Sequence, residues 1–511
     1  MPSPTNPIRE DLYCPDCAAK GMRPLKTRAE SGRTRYRCNT CGFRTTNTLY
    51  TEPQLLPKTK VTEIKRHKRF IITSAVNDTA IVKEAHETFK KMAKELDACY
   101  LVIPGVYKNP DLKHQGVVNN YTWPAEIMDY VCNANVPLNK SVMIRGLTRI
   151  QYTVINPLAG MNHAGDIRSE IYGHPQMAMQ MVPTAKNTLP KMLHTTGSIS
   201  VKNYGGSQRA QKAEFHHTIG AVFIELEGDK FWPTQLRFDG EGVYLFNRYY
   251  TPKRSRKVTK GCPAIVYGDT HIRFLRKPVA TALDKVRKAL SPDMNIYHDL
   301  HDHHIGSHHN QSNKIFALKK SLLQEISVRE ELMLSVKFLE STNNPVIINS
   351  NHHRHLDQWF NRFKPETDPV NAELYYELGE MVRKDLMNGG DGDLYRLFLQ
   401  RYCKADVKFV SGNDAFYVLD IDCSQHGDVG PNGSRGSARS FSRTGHKTII
   451  GHSHTPGIEK GCYQVGTSST DMEYAIGYSS WMNAHCIVYP NGKRGLFCLV
   501  KDRLSPLMRK L

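Results

Sequence analysis

Apolar and polar positions divide the chain into stretches of different period. Short apolar runs rich in β-branched residues at 69–74 (RFIITS) and 99–105 (CYLVIPG) read as buried strands. Between them Ile81, Val82, Ala85, Phe89, Met92 and Leu96 recur at helical spacing. Strand, helix, strand predicts a parallel α/β unit. It has no glycine-rich phosphate loop, so no nucleotide site follows from it. From about 135 to 250 the pattern turns strand-rich, with SVMIRGL, IQYTVI, MAMQMVP, GSISVKNYG, GAVFIELEG and GVYLFN. His216 and His217 sit beside a strand there and read as ordinary polar surface or core residues. Beyond 262, five further apolar runs (in PAIVYGDTH, MNIYHDLHD, NPVIINSNHH, FYVLDIDCSQHGD and HKTIIGHSH) read as strands, with helical patterns between them, among others at 278–290, 314–339 and 371–388. The expected class is α/β. The expected organisation is a small cysteine-rich segment (1–48), a linker (49–66), a basic α/β, strand-rich domain (67–250), a basic linker (PKRSRKVTKG, 252–261) and a second domain (262–500).

Composition narrows the class. A chain of 511 residues with 40% hydrophobic positions has room for two to four domains. No apolar run approaches the roughly 20 residues of a membrane helix, and the polar first residues lack the apolar stretch of a secretory signal. The expectation is a cytoplasmic protein with no membrane partner. The net charge of +20 is uneven: residues 1–261 hold 38 basic and 22 acidic residues, residues 262–511 hold 31 and 27. That concentrates +16 in the front half. A basic field favours polyanions such as nucleic acid, because neutralised phosphates release counterions.

Four of the twelve cysteines form two knuckles, Cys14-x-x-Cys17 and Cys38-x-x-Cys41. Two such pairs about 20 residues apart have the spacing of a closed tetrahedral zinc site, which is structural rather than catalytic. The segment resembles the zinc ribbons of transposases and transcription-associated proteins. Arg33, Arg35, Arg37 and Arg44 would suit contact with nucleic acid; binding a protein is the alternative role for such a ribbon.

The five strand runs of the back half each end in a group that metals favour. These are Asp269 and His271; Asp299 and Asp302; Asn351 and His352; His426; and His452 and His454 after Gly451. Open α/β sheets place their sites beyond the carboxyl ends of strands, which would gather these groups. Carboxylate, imidazole and amide oxygen suit divalent transition metals, and one carboxylate can bridge two ions. The series resembles the calcineurin-like metallophosphoesterase family, whose members include nucleases, across about 262–500. The family motifs run D-x-H, G-D-x-x-D/E, G-N-H-D/E, a later His, and G-H-x-H. The first and last match as Asp269-Thr270-His271 and Gly451-His452-Ser453-His454. His298 stands in place of the family's Gly, Ser350 in place of another, and His353 in place of its acidic residue.

The resemblance implies a sandwich of two β-sheets flanked by helices. It implies that Asp269, His271, Asp299 and His454 hold one metal, and that Asp299, Asn351, His426 and His452 hold the second, with Asp299 bridging. Hydroxide generated between the ions would attack phosphorus, with His352 near the leaving group as the catalytic residue. Manganese is the ion expected from family habit; ligand types alone do not separate it from iron or zinc.

Two polar segments flank these motifs. HDLHDHHIGSHHN (298–310) offers His301, His303, His304, His308 and His309 as phosphate contacts when protonated. PNGSRGSARSFSRTGHK (431–447) offers Arg435, Arg439 and Arg443 in a flexible loop suited to clamping phosphate.

Together these features predict a metal-dependent DNA nuclease. The alternatives are a phosphatase or phosphodiesterase acting on small or protein substrates, which leaves the basic front half without a role, and a DNA-transfer or structural protein with a residual phosphoesterase fold. RFIITSAVNDTAIVKEAHETF, VIPGVYKNP, KNYGG and EFHHTIGA also resemble segments of bacteriophage pre-early proteins linked to DNA transfer and host DNA degradation. That resemblance implies action in the host cytoplasm. Related nucleases assemble into homo-oligomers; the sequence itself carries no sign of one.

Overall fold

Period-two alternation sorts the side chains of the back-half strands onto two faces. Ala264, Val266, Ile296, Val346 and Ile348 face one apolar core, while Ile265, Tyr267, Tyr297 and Ile347 face the helices. The computed structural model describes residues 8–14, 19–28, 34–42, 44–45, 54–109, 121–163, 166–185, 188–259, 261–307, 313–470, 472 and 476–511. It is a mixed α/β structure of several sheets flanked by helices.

The strands that carry the back-half motifs belong mainly to two sheets. One has six strands in the order Lys408–Val410, Pro345–Ile348, Pro292–Tyr297, Cys262–Val266, Asn483–Val488, Arg494–Leu499. The first four are parallel and the last two antiparallel. Helices Lys277–Leu290, Val328–Glu340 and Leu394–Tyr402 lie in the crossovers between the parallel strands. The second sheet has ten strands. Tyr417–Val418, Ile421–Asp422, Lys447–Ile450, Cys462–Gln464 and Gly457–Glu459 come from the back half. Met179–Val182, Lys191–Thr195, Ser169–Tyr172, Val142–Arg145 and Asn135–Pro137 come from the front half.

The join falls where Met179 pairs with Ile458. The basic stretch at 252–261 is therefore not a boundary between independent bodies. It contributes a strand of its own, Ser255–Lys257, to a three-stranded sheet. The parallel unit of the front half, Arg69–Val76, helix Lys83–Leu96 and Cys99–Gly105, forms a four-stranded sheet with Gly220–Glu227 and Lys230–Arg237. That sheet meets the six-stranded one edge to edge, where Gln235 Oε1 accepts the Leu496 N–H at 2.8 Å. The Cys-rich segment forms a separate four-stranded antiparallel sheet from Arg9–Tyr13, Lys20–Arg28, Thr34–Cys38 and Arg44–Thr45.

Several expected elements differ, for local reasons. IQYTVI forms a turn rather than a strand, with the Val154 N–H on the Gln151 carbonyl. GSISVKNYG makes only isolated bridges, because serine hydroxyls take ladder positions: Ser200 Oγ accepts the Val76 N–H and Ser74 Oγ donates to the Gly197 carbonyl. The single helical pattern at 314–339 breaks into Lys314–Leu322 and Val328–Glu340, the second capped by Ser327. FYVLDID folds back on itself at Leu419, which takes φ +56°. Among the described residues, no helix is long and apolar enough to cross a membrane.

One buried cation links the two sheets. Arg494, 2% exposed, donates from Nη1 to the carbonyls of Thr448 (2.8 Å) and Gly461 (2.9 Å), and its guanidinium lies 4.2 Å from the Tyr463 ring centre. Arg494→Ala removes a donor from each carbonyl, leaving Gly461 with the Thr448 N–H alone, and opens a void. It is expected to lower unfolding free energy by about 2–4 kcal/mol, read from the urea midpoint. An unchanged midpoint would show that the sheets do not depend on this tie.

Candidate metal centre

The site is assembled at the carboxyl ends of five strands by loops that hydrogen-bond to one another. Behind Cys262–Val266, the N–H groups of Thr270, His271 and Ile272 bond to the carbonyls of His298, Asp299 and Leu300, zipping the first motif to the second. The Gly451 N–H bonds to the His426 carbonyl at 2.7 Å, joining the fourth motif to the fifth. The segment after Cys462–Gln464 clamps the first motif from below. Thr467 Oγ1 donates to the Asp269 carbonyl and Ser469 Oγ to the Thr270 carbonyl. No sequence motif singles out these hydroxyls, although a Gly-Thr-Ser-Ser run directly after a strand is a visible turn signal.

Four site residues sit in left-handed backbone: His271 (φ +43°), Asp299 (+40°), His452 (+71°) and His454 (+58°). Such conformations cost about 1–3 kcal/mol each and cluster at functional sites. Gly451 makes the close approach that brings the last motif in. A Cβ there would stand 2.3 Å from Asp269 Oδ1 and 3.0 Å from His298 Cγ.

The result is a cluster of donor atoms facing inward. Asp269, His271, Asp299 and His454 are all buried, with ligand atoms within 4.8 Å of one another. His271 Nε2 lies 3.1 Å from His454 Nε2, and His454 Nε2 lies 3.1 Å from Asp269 Oδ2. Beside them Asn351 Oδ1 is 3.1 Å from both His426 Nε2 and His452 Nδ1, and His426 Nε2 is 3.2 Å from Asp299 Oδ2. Asp299 thus borders both groups, and both sets expected from the motifs come together around it. Asp299 Oδ1 is buried without a hydrogen-bond partner, and Asp269 Oδ2 is buried facing only the His454 ring. Two buried carboxylates, one with an orphaned oxygen, and imidazole nitrogens aimed at each other fit cations better than they fit themselves.

The electrostatics agree. Burial would raise the Asp269 carboxyl, but His454 and His426 outweigh it and hold it down to about 2. Asp299 is also held well below its ordinary value, with His426 and His352 overcoming burial. Against its own burial, His426 is pushed up to about 9 by Asp299 and Asp269. Burial lowers His452 and His454, favouring the neutral imidazole that ligates.

Asp302 has a positioning role that the motif alone did not assign. Its Oδ1 accepts from His271 Nδ1 at 2.8 Å, and its carbonyl accepts from His352 Nδ1 at 3.1 Å. This fixes which His271 nitrogen faces the cluster. His352, 16% exposed, then holds Nε2 at 4.0 Å from Asp299 Oδ2. At the rim Arg354 pairs with Asp428, tying the loops after His352 and His426 together.

The histidine-rich loop is not a solvent-facing phosphate strap. His301 and His303 are fully buried. His301 and His353 both stack on Tyr395, with centroids 5.5 and 4.3 Å from its ring, and His303 packs against Trp359. Burial drives His301 and His353 down to about 3, so both are neutral. His304, 5% exposed, packs edge-on against Phe274 and Phe316. Its N–H and that of Ile305 bond to the buried Glu331. His298 is buried with Nδ1 at 3.4 Å from His426 Nδ1. His308 and His309 lie outside the described residues, as do Cys17 and Arg33. Arg435, Arg439 and Arg443 are exposed, and among the described residues no hydrogen bond or ion pair joins their side chains to the ligand cluster.

In the Cys-rich sheet, Cys14, Cys38 and Cys41 have their sulfurs within 4.8 Å, with Cys14 Sγ at 3.7 Å from Cys41 Sγ. The turn carrying Cys41 closes through the Gly42 N–H on the Cys38 carbonyl, with Gly42 at φ +76°. These three thiols could hold a metal.

Fold and clusters define an α/β protein with a buried Asp/His centre and a Cys cluster, both able to hold metals. Over 460 residues the chain is 30% identical to Protein A1 of Escherichia phage T5, covering 85% of this chain and 82% of that protein. The chain belongs to the family of that phage protein. No protein-family model matches it, and no solved structure does.

Two outcomes follow from this geometry. Asp302→Ala frees the His271 ring and is expected to weaken manganese binding about 10- to 100-fold by calorimetric titration; an unchanged affinity would remove its positioning role. Burial pushes the Glu331 carboxyl up to about 7. The folded state therefore keeps a proton that the unfolded chain releases. Stability should fall as pH rises between about 5 and 7, by on the order of 2 kcal/mol. Thermal melts across that range should be flatter for Glu331→Gln, and parallel curves would contradict the assignment.

Proposed function

We propose that this protein is a metal-dependent DNA nuclease with a calcineurin-like metallophosphoesterase fold. The observation that carries the reading is the double set of ligand atoms meeting at Asp299, assembled from the five motifs in their family order. The sandwiching of two sheets between helices is compatible with that fold. When bound, two divalent ions would lower the pKa of a water and neutralise phosphate charge; manganese is the expected pair.

The chain's own residues supply the rest. Asp299 reaches both sets, so it fixes their separation. Asp302 holds His271 by Nδ1 and leaves Nε2 for the ligand cluster. His352, partly exposed and braced by the Asp302 carbonyl, would give a proton to the leaving oxygen. The exposed Arg435, Arg439 and Arg443 offer guanidinium forks to the polymer's phosphates. The front half's +16 gives a polyanion a reason to dock, which a small-substrate phosphatase would not need. The ribbon's thiols would hold a structural zinc, and its basic residues would extend the same surface.

The test is cleavage of linear and circular DNA with and without manganese. Asp299→Ala is expected to abolish both dinuclear metal binding and cleavage. His352→Ala should keep the metals while turnover falls about 10²- to 10⁴-fold. Equal metal loss in both variants would undo the role given to His352. Metal- and Asp299-dependent hydrolysis confined to a small phosphodiester would replace the nuclease with a small-substrate phosphoesterase.

A further inference from the structure

The seam where the two halves share one sheet contains a groove that no motif addresses. It encloses about 280 Å³, at the small end for a ligand pocket, and mixes polar and apolar walls. From the front half come Asn156, Gln176, Met179 and Gln180; from the back half come Gly457 and Gln464. The groove begins at Thr455, one residue beyond His454. Gln464 anchors that corner, its Nε2 donating to Ser453 Oγ and, at 2.6 Å, to the Thr455 carbonyl. On the other side the groove touches Ala438, whose neighbour Arg439 is exposed.

The wall chemistry suits one occupant. Gln180 is half-buried and makes no side-chain hydrogen bond among the described residues. Asn156 uses its Oδ1 to accept the Leu158 N–H at 3.2 Å, leaving its amide N–H groups free to donate. Side-chain amides present a donor and an acceptor side by side, the pattern of nucleobase edges. Leu158 and Ala178, on the same sheet face as Gln180, supply an apolar floor. Arg439, exposed and next in sequence to the lining residue Ala438, is available to a backbone phosphate.

We propose that this groove seats a nucleobase of the DNA strand next to the scissile phosphate, so that the front half forms one wall of the substrate site. The inference rests on the nuclease reading and names how its substrate is held. It also gives the shared sheet a function: the pairing of Met179 with Ile458 sets a front-half surface at a fixed distance from the last metal motif.

The test is binding of a fluorescein-labelled oligothymidylate, by anisotropy without added manganese, to the full chain. Two variants address the groove. Gly457→Leu fills it: a Cβ at Gly457 meets only the Met179 carbonyl, at an ordinary 3.5 Å, so the backbone accepts a side chain. Gln180→Ala removes an amide without adding bulk. Each is expected to weaken binding about tenfold, and the loss should vanish for the same oligonucleotide with abasic sites. Wild-type affinity in both variants, or equal losses for the base-bearing and abasic strands, would overturn the groove. Failure of the nuclease reading shows elsewhere, as wild-type protein that binds DNA and leaves it uncut with manganese present.

Discussion

Asp299 carries a constraint that the surrounding architecture answers. Its carboxylate is buried, one oxygen has no hydrogen-bond partner, and the imidazoles of His271, His352 and His426 approach it from three different loops. A second buried carboxylate, Asp269, shares the pocket. Two like charges in a low-dielectric interior repel, and withdrawing them from water is costly unless cations or hydrogen bonds compensate. The imidazoles provide some of that compensation, and the cluster could take the remainder from a metal. The left-handed backbone at Asp299, His271, His452 and His454 is the conformational cost of pointing so many donors at one place. The zipped loops, the hydroxyl clamp of Thr467 and Ser469, and the bare Cα of Gly451 hold that arrangement against its own strain.

The outer ring of the site has a different logic. His301, His303 and His353 are buried beside Tyr395 and Trp359, where neutral imidazoles act as flat, packable surfaces. Glu331 pins the same loop through two backbone N–H groups. Histidine in this chain thus does two jobs within a few residues: ligand candidate where carboxylates face it, and core filler where aromatics do. Composition cannot separate the two, because burial decides the protonation state.

What is legible in the sequence follows the range of each signal. The strands ending at Val266, Tyr297, Ile348 and Ile450 are local apolar runs, and the ligand motifs sit directly beyond them, so period and chemistry agree. IQYTVI misleads because apolar content alone does not create a ladder partner. GSISVKNYG fails as a strand because Ser198 and Ser200 bond across to the Arg69–Val76 strand. The histidine loop misleads because its burial depends on helices Val328–Glu340, Arg354–Arg362 and Leu394–Tyr402, of which the apolar pattern marks only the first. Asp302 is visible as a member of a motif; its bond to His271 is not, since 31 residues separate them. The continuity of the ten-stranded sheet is beyond reach for the same reason, as strand pairing over nearly 280 positions leaves no local trace.

That sheet has a consequence for how the chain can be handled and how it can have evolved. A cut at the basic stretch near 252–261 looks like a natural place to separate modules. It would strip the Met179–Val182 strand from Gly457–Glu459 and expose a raw edge ready to pair with another molecule. It would also remove Gln235 from the Leu496 amide. Neither half is a free-standing cassette, so recombination that exchanged one without the other would meet an aggregation barrier before any loss of chemistry was felt.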